Sequence, residues 1–152
     1  YLSHLYYGAK KVFWYEMADE PFGPNNPESF FGILRFNESL SVKPSAVAFS
    51  NMVNNYRHAI PVGKYVGQSY GFAYDNQGKN QLCLWTEKDS KEETLYLPNT
   101  KKVNVTDIFG RVQQLKVLNG KVIITIGYLP ITITGFDQDD FTGLYAPRKV
   151  VK

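Results

Sequence analysis

The chain has 152 residues, of which 43% are hydrophobic and 20% charged, with a formal net charge of +3 at pH 7. That length suits one ordinary domain or two small ones, and the globular composition excludes an intrinsically disordered chain. The Lys and Arg residues are spread along the sequence, which argues against nucleic acid as a partner, and no apolar run of about 18 residues offers a membrane span.

No signal-peptide pattern opens the sequence. Cys83 is the single cysteine, so neither an intrachain disulfide framework nor a cysteine zinc site can form. It sits in the apolar run QLCLW and is expected to be a buried thiol. The 11 Tyr, 10 Phe and 2 Trp are the unusual feature. Most should be core, although a flat ring can also cover the C–H face of a sugar.

Residues 1–8, YLSHLYYG, put Leu2, Leu5 and Tyr6 at helical spacing and close on Gly8, a left-handed cap. No capping residue precedes them, so the chain is expected to open inside a helix. KVFWYEM (11–17) reads as a buried strand of β-branched and aromatic residues. A long loop follows through Pro21, Gly23, Pro24, NNPE and FFG to a short extended piece, ILRF (33–36), and a turn at NES. Within 42–59, Pro44 fits a first helical position, and Ala46, Phe49, Val53 and Tyr56 recur on one face. Ile60-Pro61 ends that helix. Helix, strand, helix is the unit of an α/β fold, but one strand cannot make a sheet. Residues 1–60 therefore read as the end of something larger.

From residue 61 the period changes. QSYGFAYD and NQLCLWTE flank a hairpin turn at NQGK, with Asn76 and Gly78 as turn formers. Further strands are EETLYLP, KVNVTD, VQQLKVL, KVIITIG and YLPITITG, with turns at IFGR and Asn119-Gly120. Pro130 fits only an edge or a strand start. Short strands with regular turn signals over 61–136 predict an antiparallel β-sandwich. Residues 137–152 turn from acidic to basic and read as a tail or linker.

Taken in order, GAKKVFWYEMADE, NPESFFGILRFNESLSVKPSAVAF and VTDIFGR…LNGKVIITIGYLPITITG resemble the C-terminal end of clan A glycoside hydrolases, of the family 39 type. The resemblance implies an α/β fragment, the end of a TIM barrel, followed by an all-β antiparallel sandwich. Residues 12–15 would be the eighth strand of the (β/α)8 barrel, 1–7 the end of the seventh helix and 44–59 the eighth helix. Active sites of such barrels lie at the C-terminal ends of the strands. Trp14, Tyr15, Glu16 and Asp19 would then stand at the rim as substrate-binding residues, with Trp14 flooring the subsite of the cleaved sugar. Strand alternation leaves open whether Trp14 or Tyr15 faces inward.

Retaining glycosidases use two carboxyl groups roughly 5–5.5 Å apart. Glu16, Asp19 and Glu20 invite that assignment, but the resemblance places the acid/base and nucleophile glutamates on the fourth and seventh strands, upstream of Tyr1. No helix separates KVFWYEM from ILRF, so KVFWYEM cannot be the seventh strand with an eighth unit behind it. No catalytic residue is assigned within this chain, which alone is expected to be inactive. The plain alternative is a strand end with a solvated turn. The implied partners are an oligo- or polysaccharide and the remaining barrel strands, in the same polypeptide or as a separate chain; export to the periplasm or beyond is implied likewise.

Other residues carry less chemistry. His4 and His58 are isolated, so no metal is expected, and no cofactor; His58 suits a helix terminus. Glu28 and Arg35 are expected to form a structural salt bridge. Asn37 and Asn104 fit the glycosylation acceptor pattern. GKYVGQ lacks phosphate-loop spacing. A competing function is a non-catalytic carbohydrate-binding or packing module, with Trp85, Tyr70, Tyr74 and Tyr96 as candidate platforms and Trp85 expected in the core.

Overall fold

The computed structural model describes residues 1–23 and 25–148. Its strands are β1 (Ile60–Tyr65), β2 (Tyr70–Asn76), β3 (Lys79–Trp85), β4 (Lys91–Tyr96), β5 (Lys102–Thr106), β6 (Val112–Lys116), β7 (Lys121–Ile126), β8 (Ile131–Thr134) and β9 (Tyr145–Pro147). Seven form an antiparallel sheet in the order β6-β5-β8-β3-β2-β1-β9, and β4 pairs with β7 in a second, two-stranded sheet.

The apolar runs explain this layering. β2 and β3 each bury four consecutive residues. Successive side chains of a strand point to opposite faces, so such a run needs cover on both sides. On one face, Ala73, Leu82, Leu84, Val103 and Ile133 meet Leu95, Leu97, Val122, Ile124 and Ile126 from β4, β7 and the residue after β4. On the other, Phe72, Tyr74 and Cys83 pack under α1 (Leu2–Tyr6) and α2 (Pro44–Tyr56). β4 and β7 bury only alternate residues, as strands with one wet face do.

Hydrogen bonds fasten the helices to the sandwich. The Tyr74 hydroxyl donates to the Leu2 carbonyl at 2.8 Å, and Asn76 Nδ2 donates to the Asn55 carbonyl at 2.7 Å. The hydroxyls of Tyr56 and Thr132 lie 2.7 Å apart. A cavity of 280 Å³ remains along this seam, lined by Asn51, Asn55, Cys83, Trp85 and Thr132 among others.

Several expectations hold locally. Gly8 takes φ +98° after α1, and its N–H and that of Ala9 return to the Leu5 and His4 carbonyls. Asn119 and Gly120 both have positive φ in a tight turn, and Pro130 stands just ahead of β8. In the β2–β3 hairpin the positive-φ pair is Gln77-Gly78, one residue beyond the expected Asn76. Pro44 opens α2, which ends at Tyr56 rather than Ala59.

Other expectations need correction. Residues 11–17 form no strand. Among the described residues its main-chain partners lie in 31–34, reached through an isolated Ala18·Leu34 bridge and a few hydrogen bonds. A parallel strand needs flanking strands to bond its backbone, and none of the described strands lies beside it. The barrel end is therefore not distinguishable as such, and Phe13 is 86% exposed instead of buried. ILRF likewise contributes only single bridges at Leu34.

The expected tail also folds onto the sandwich. Asp137 caps α3 (Gln138–Thr142), Phe141 enters the core, and β9 pairs with β1. Asp140 accepts hydrogen bonds from the Asn99 and Thr100 main-chain and side-chain donors, pinning α3 to the connection between β4 and β5. Residues 149–152 lie outside the described residues. β1 escaped the sequence reading because Pro61 and Gly63 look like turn signals; they flank a bulge in the β1–β2 register. No helix among the described residues is long and apolar enough to cross a membrane.

Candidate functional site

The four residues expected at a rim, Trp14, Tyr15, Glu16 and Asp19, lie on the segment between α1 and the loop that leads to α2. Trp14 stacks on Tyr1, with ring centroids 5.9 Å apart and planes 9° from parallel, and lies 6.0 Å from Phe49. Its indole N–H donates to the Phe31 carbonyl at 3.1 Å. The Tyr1 and Phe49 contacts turn the Trp14 ring toward the helices, and it is still 44% exposed. Tyr15 points outward and meets Phe31 edge-on at 6.4 Å. The Tyr15–Glu16 peptide is cis.

The surroundings of Tyr15 are acidic. Its phenol is held above its usual range chiefly by the Glu16 carboxylate, then by partial burial and by Glu28 and Glu20. Glu16 Oε1 is buried and has no hydrogen-bond partner among the described residues. A buried carboxylate oxygen left this way is costly.

Asp19 stands apart from this acceptor role. Lys43 Nζ donates to Asp19 Oδ1 at 2.7 Å and to the Phe30 carbonyl at 2.9 Å. Asp19 thus joins the acidic loop to the first residue ahead of α2, and Lys43, which the sequence reading passed over, is its partner. The expected Glu28–Arg35 bridge does not form; Arg35 Nη1 donates to the Val42 carbonyl instead. An open hollow of 530 Å³ surrounds the Asp19–Lys43 pair, lined also by Glu20, Phe30, Arg35 and Phe36.

Large apolar side chains crowd the outside of this region. Phe13, Met17, Phe22, Phe30, Phe36 and Val42 are each more than half exposed. A soluble surface rarely leaves so much apolar area uncovered without an interaction to make there.

The candidate platforms of the sandwich behave otherwise. Tyr74 is fully buried, and Trp85 is half-buried against Phe72 with Tyr70 stacked 6.2 Å away. Tyr96 is exposed on the other sheet, with the Lys121 ammonium 5.2 Å from its ring centroid. These four rings do not form one exposed row. Cys83 is buried as expected, and burial pushes its thiol up to about 12.

No family model matches the sequence, and neither does any curated protein. Among solved structures, a family 39 glycoside hydrolase from the gut symbiont Bacteroides cellulosilyticus WH2 is similar, with a TM-score of 0.70 and 24% identity. The match covers 82% of this chain and 26% of that one. In fold, this chain is similar to a portion of a family 39 glycoside hydrolase, and it spans 26% of that enzyme's chain.

Proposed function

We propose that this chain is the C-terminal portion of a retaining glycosidase, supplying part of the sugar-binding rim and an accessory β-sandwich. The fold likeness to a family 39 glycoside hydrolase over 82% of the chain carries this reading. The ordered motifs from GAKKVFWYEMADE to GYLPITITG support it independently. Both catalytic glutamates would lie upstream, on barrel strands four and seven, and act as acid/base and nucleophile.

Within this chain, the outward Tyr15 ring and the exposed part of the Trp14 ring would line the sugar site, and the Glu16 carboxylate would accept a hydrogen bond from a sugar hydroxyl. Asp19 would hold the rim in shape rather than touch the sugar. The exposed apolar side chains from Phe13 to Val42 would meet the remaining barrel elements. Under this reading the Trp14 segment becomes the eighth barrel strand once its neighbours are present, because they supply the backbone partners it lacks here.

The test is glycosidase activity of the full-length natural product beside residues 1–152 alone, on a panel of p-nitrophenyl glycosides. Turnover by the long product only is the expected result. Turnover by the short chain would refute the assignment of catalysis to upstream residues. An inert long product would refute the glycosidase reading.

A further inference from the structure

We propose that Lys43 is a positioning residue for the sugar-binding rim, setting through Asp19 and Phe30 where Trp14, Tyr15 and Glu16 stand. The kinetic consequence rests on the glycosidase reading above. The structural consequence rests on geometry alone.

Lys43 is fixed from both sides. Its extended backbone precedes Pro44, whose ring sets the first turn of α2, and its N–H donates to the Ile33 carbonyl at 3.0 Å. The side chain therefore starts from a rigid base and reaches back across 24 positions of sequence to Asp19. The pair is shielded, with the two side chains only 20% and 12% exposed, so salt screens it less than a surface pair. The other described ion pair, Arg111–Asp107, is local in sequence and its Arg is largely exposed.

The clamp is wired to the rim through adjacent carbonyls. Lys43 holds the Phe30 carbonyl, while the next carbonyl, Phe31, accepts from the Trp14 indole and, at 3.5 Å, from the Glu16 N–H. Ile33 N–H returns to the Glu16 and Met17 carbonyls. At Gly32 the loop lies so close to the Ala18 and Asp19 backbone that a Cβ would collide with it. A shift of Phe30 relative to α2 would therefore act on the 14–19 segment through these bonds and the tight Gly32 contact. Tight contacts transmit such shifts, and a displaced binding face weakens substrate binding.

The experiment compares wild type, Lys43→Met, Lys43→Arg and Asp19→Asn in the full-length natural product. Hydrogen–deuterium exchange by mass spectrometry follows residues 19–31 against β2 and β3, and steady-state kinetics use p-nitrophenyl glycosides. Lys43→Met is expected to speed exchange in 19–31 several-fold while leaving β2 and β3 unchanged. It should raise KM about tenfold with kcat within about twofold, the mark of lost uniform binding. Lys43→Arg, which keeps the charge, should recover part of both effects, and Asp19→Asn should resemble Lys43→Met.

Unchanged exchange in 19–31 would overturn the clamp. Faster exchange with unchanged KM would reduce Lys43 to a purely structural role and overturn the positioning claim. A Lys43→Arg variant no better than Lys43→Met would do the same. An Asp19→Asn loss far exceeding that of Lys43→Met would mean that Asp19 contacts the sugar itself. If the wild-type product cleaves no glycoside, the glycosidase reading fails, while the exchange data still decide the clamp.

Discussion

Glu93 offers the sharpest test of how the sandwich is held together. It occupies an inward position of β4, in phase with Leu95 and Leu97, yet it is a carboxylate and only 6% exposed. Three donors surround it: the Tyr65 hydroxyl at 2.9 Å, the Gln68 N–H at 3.0 Å and the Ser69 hydroxyl at 2.6 Å. These bonds tie the two-stranded sheet to the β1–β2 connection of the large sheet. Glu93→Ala removes the acceptor and strands two buried donors, on Tyr65 and Ser69; the Gln68 N–H can turn to water. At about 1–3 kcal/mol for each buried unsatisfied group, the expected loss is about 2–6 kcal/mol. Glu93→Gln keeps an acceptor for Tyr65 and Gln68, and Ser69 can rotate to accept, so about 1–2 kcal/mol is expected from losing the charge-assisted bonds alone.

The pH dependence follows from the same bonds. Burial pushes the Glu93 carboxyl up, but the hydrogen bonds from Ser69, Gln68 and Tyr65, with Lys91 nearby, outweigh it and hold the carboxyl below its ordinary 4.5. A carboxylate lowered by folding contributes stability above its unfolded value, and that contribution is lost as pH falls through the folded one. Wild type should therefore lose its advantage over Glu93→Gln as pH drops below about 4.5. Urea unfolding followed by tryptophan fluorescence, at neutral pH and at about pH 3, measures both effects. An Ala variant within about 0.5 kcal/mol of wild type, the range of ordinary surface substitutions, would show that Glu93 does not tie the two sheets together. So would a gap between wild type and Glu93→Gln that does not change with pH.

Three further outcomes are expected. Cys83, fully buried with its thiol pushed up to about 12, should resist a thiol reagent in the folded protein and label stoichiometrically in urea; rapid native labelling would contradict its place under α2. Gly63→Ala would drive a Cβ into the Tyr145 ring and the Ala146 carbonyl, so it should release β9 and expose 138–148 to protease, with β2 and β3 still protected from exchange. Trp14→Ala in the full-length product should lower kcat/KM about tenfold or more, mostly through KM, with Trp14→Phe intermediate; an unchanged KM would remove Trp14 from the rim.

The sandwich was legible because its signals are local. The apolar run QLCLW, the hairpin turn at NQGK and the Asn119-Gly120 turn each depend on neighbours in sequence. What was missed depends on partners distant in sequence. Pro61 and Gly63 resemble a turn until β2 and β9 are known to lie on either side of them. Gln138, Asp139 and Asp140 look like a solvated tail unless Asn99 and Thr100 are known to wait for the Asp140 carboxylate. Glu93 did leave a trace, a lone acid in phase with two leucines, but only its three donors explain it.

The candidate site divides the same way. Trp14, Tyr15 and Glu16 were expected at a sugar-binding rim through an ordered set of motifs, and as consecutive residues they share one short segment. Their expected strand does not form, because strand pairing is a property of neighbours and not of β-branched and aromatic composition. Asp19 was expected to bind substrate, and its observed partner was not legible: Lys43 lies 24 positions away with no periodicity linking them.

The most direct measurement is the anomeric configuration of the first product, read by proton NMR, when the full-length natural product hydrolyses an aryl glycoside. Retention of the substrate's configuration, with no hydrolysis by residues 1–152 alone, is the expected result. Inversion, or no turnover by the full-length product on any member of the panel, would overturn the retaining-glycosidase reading.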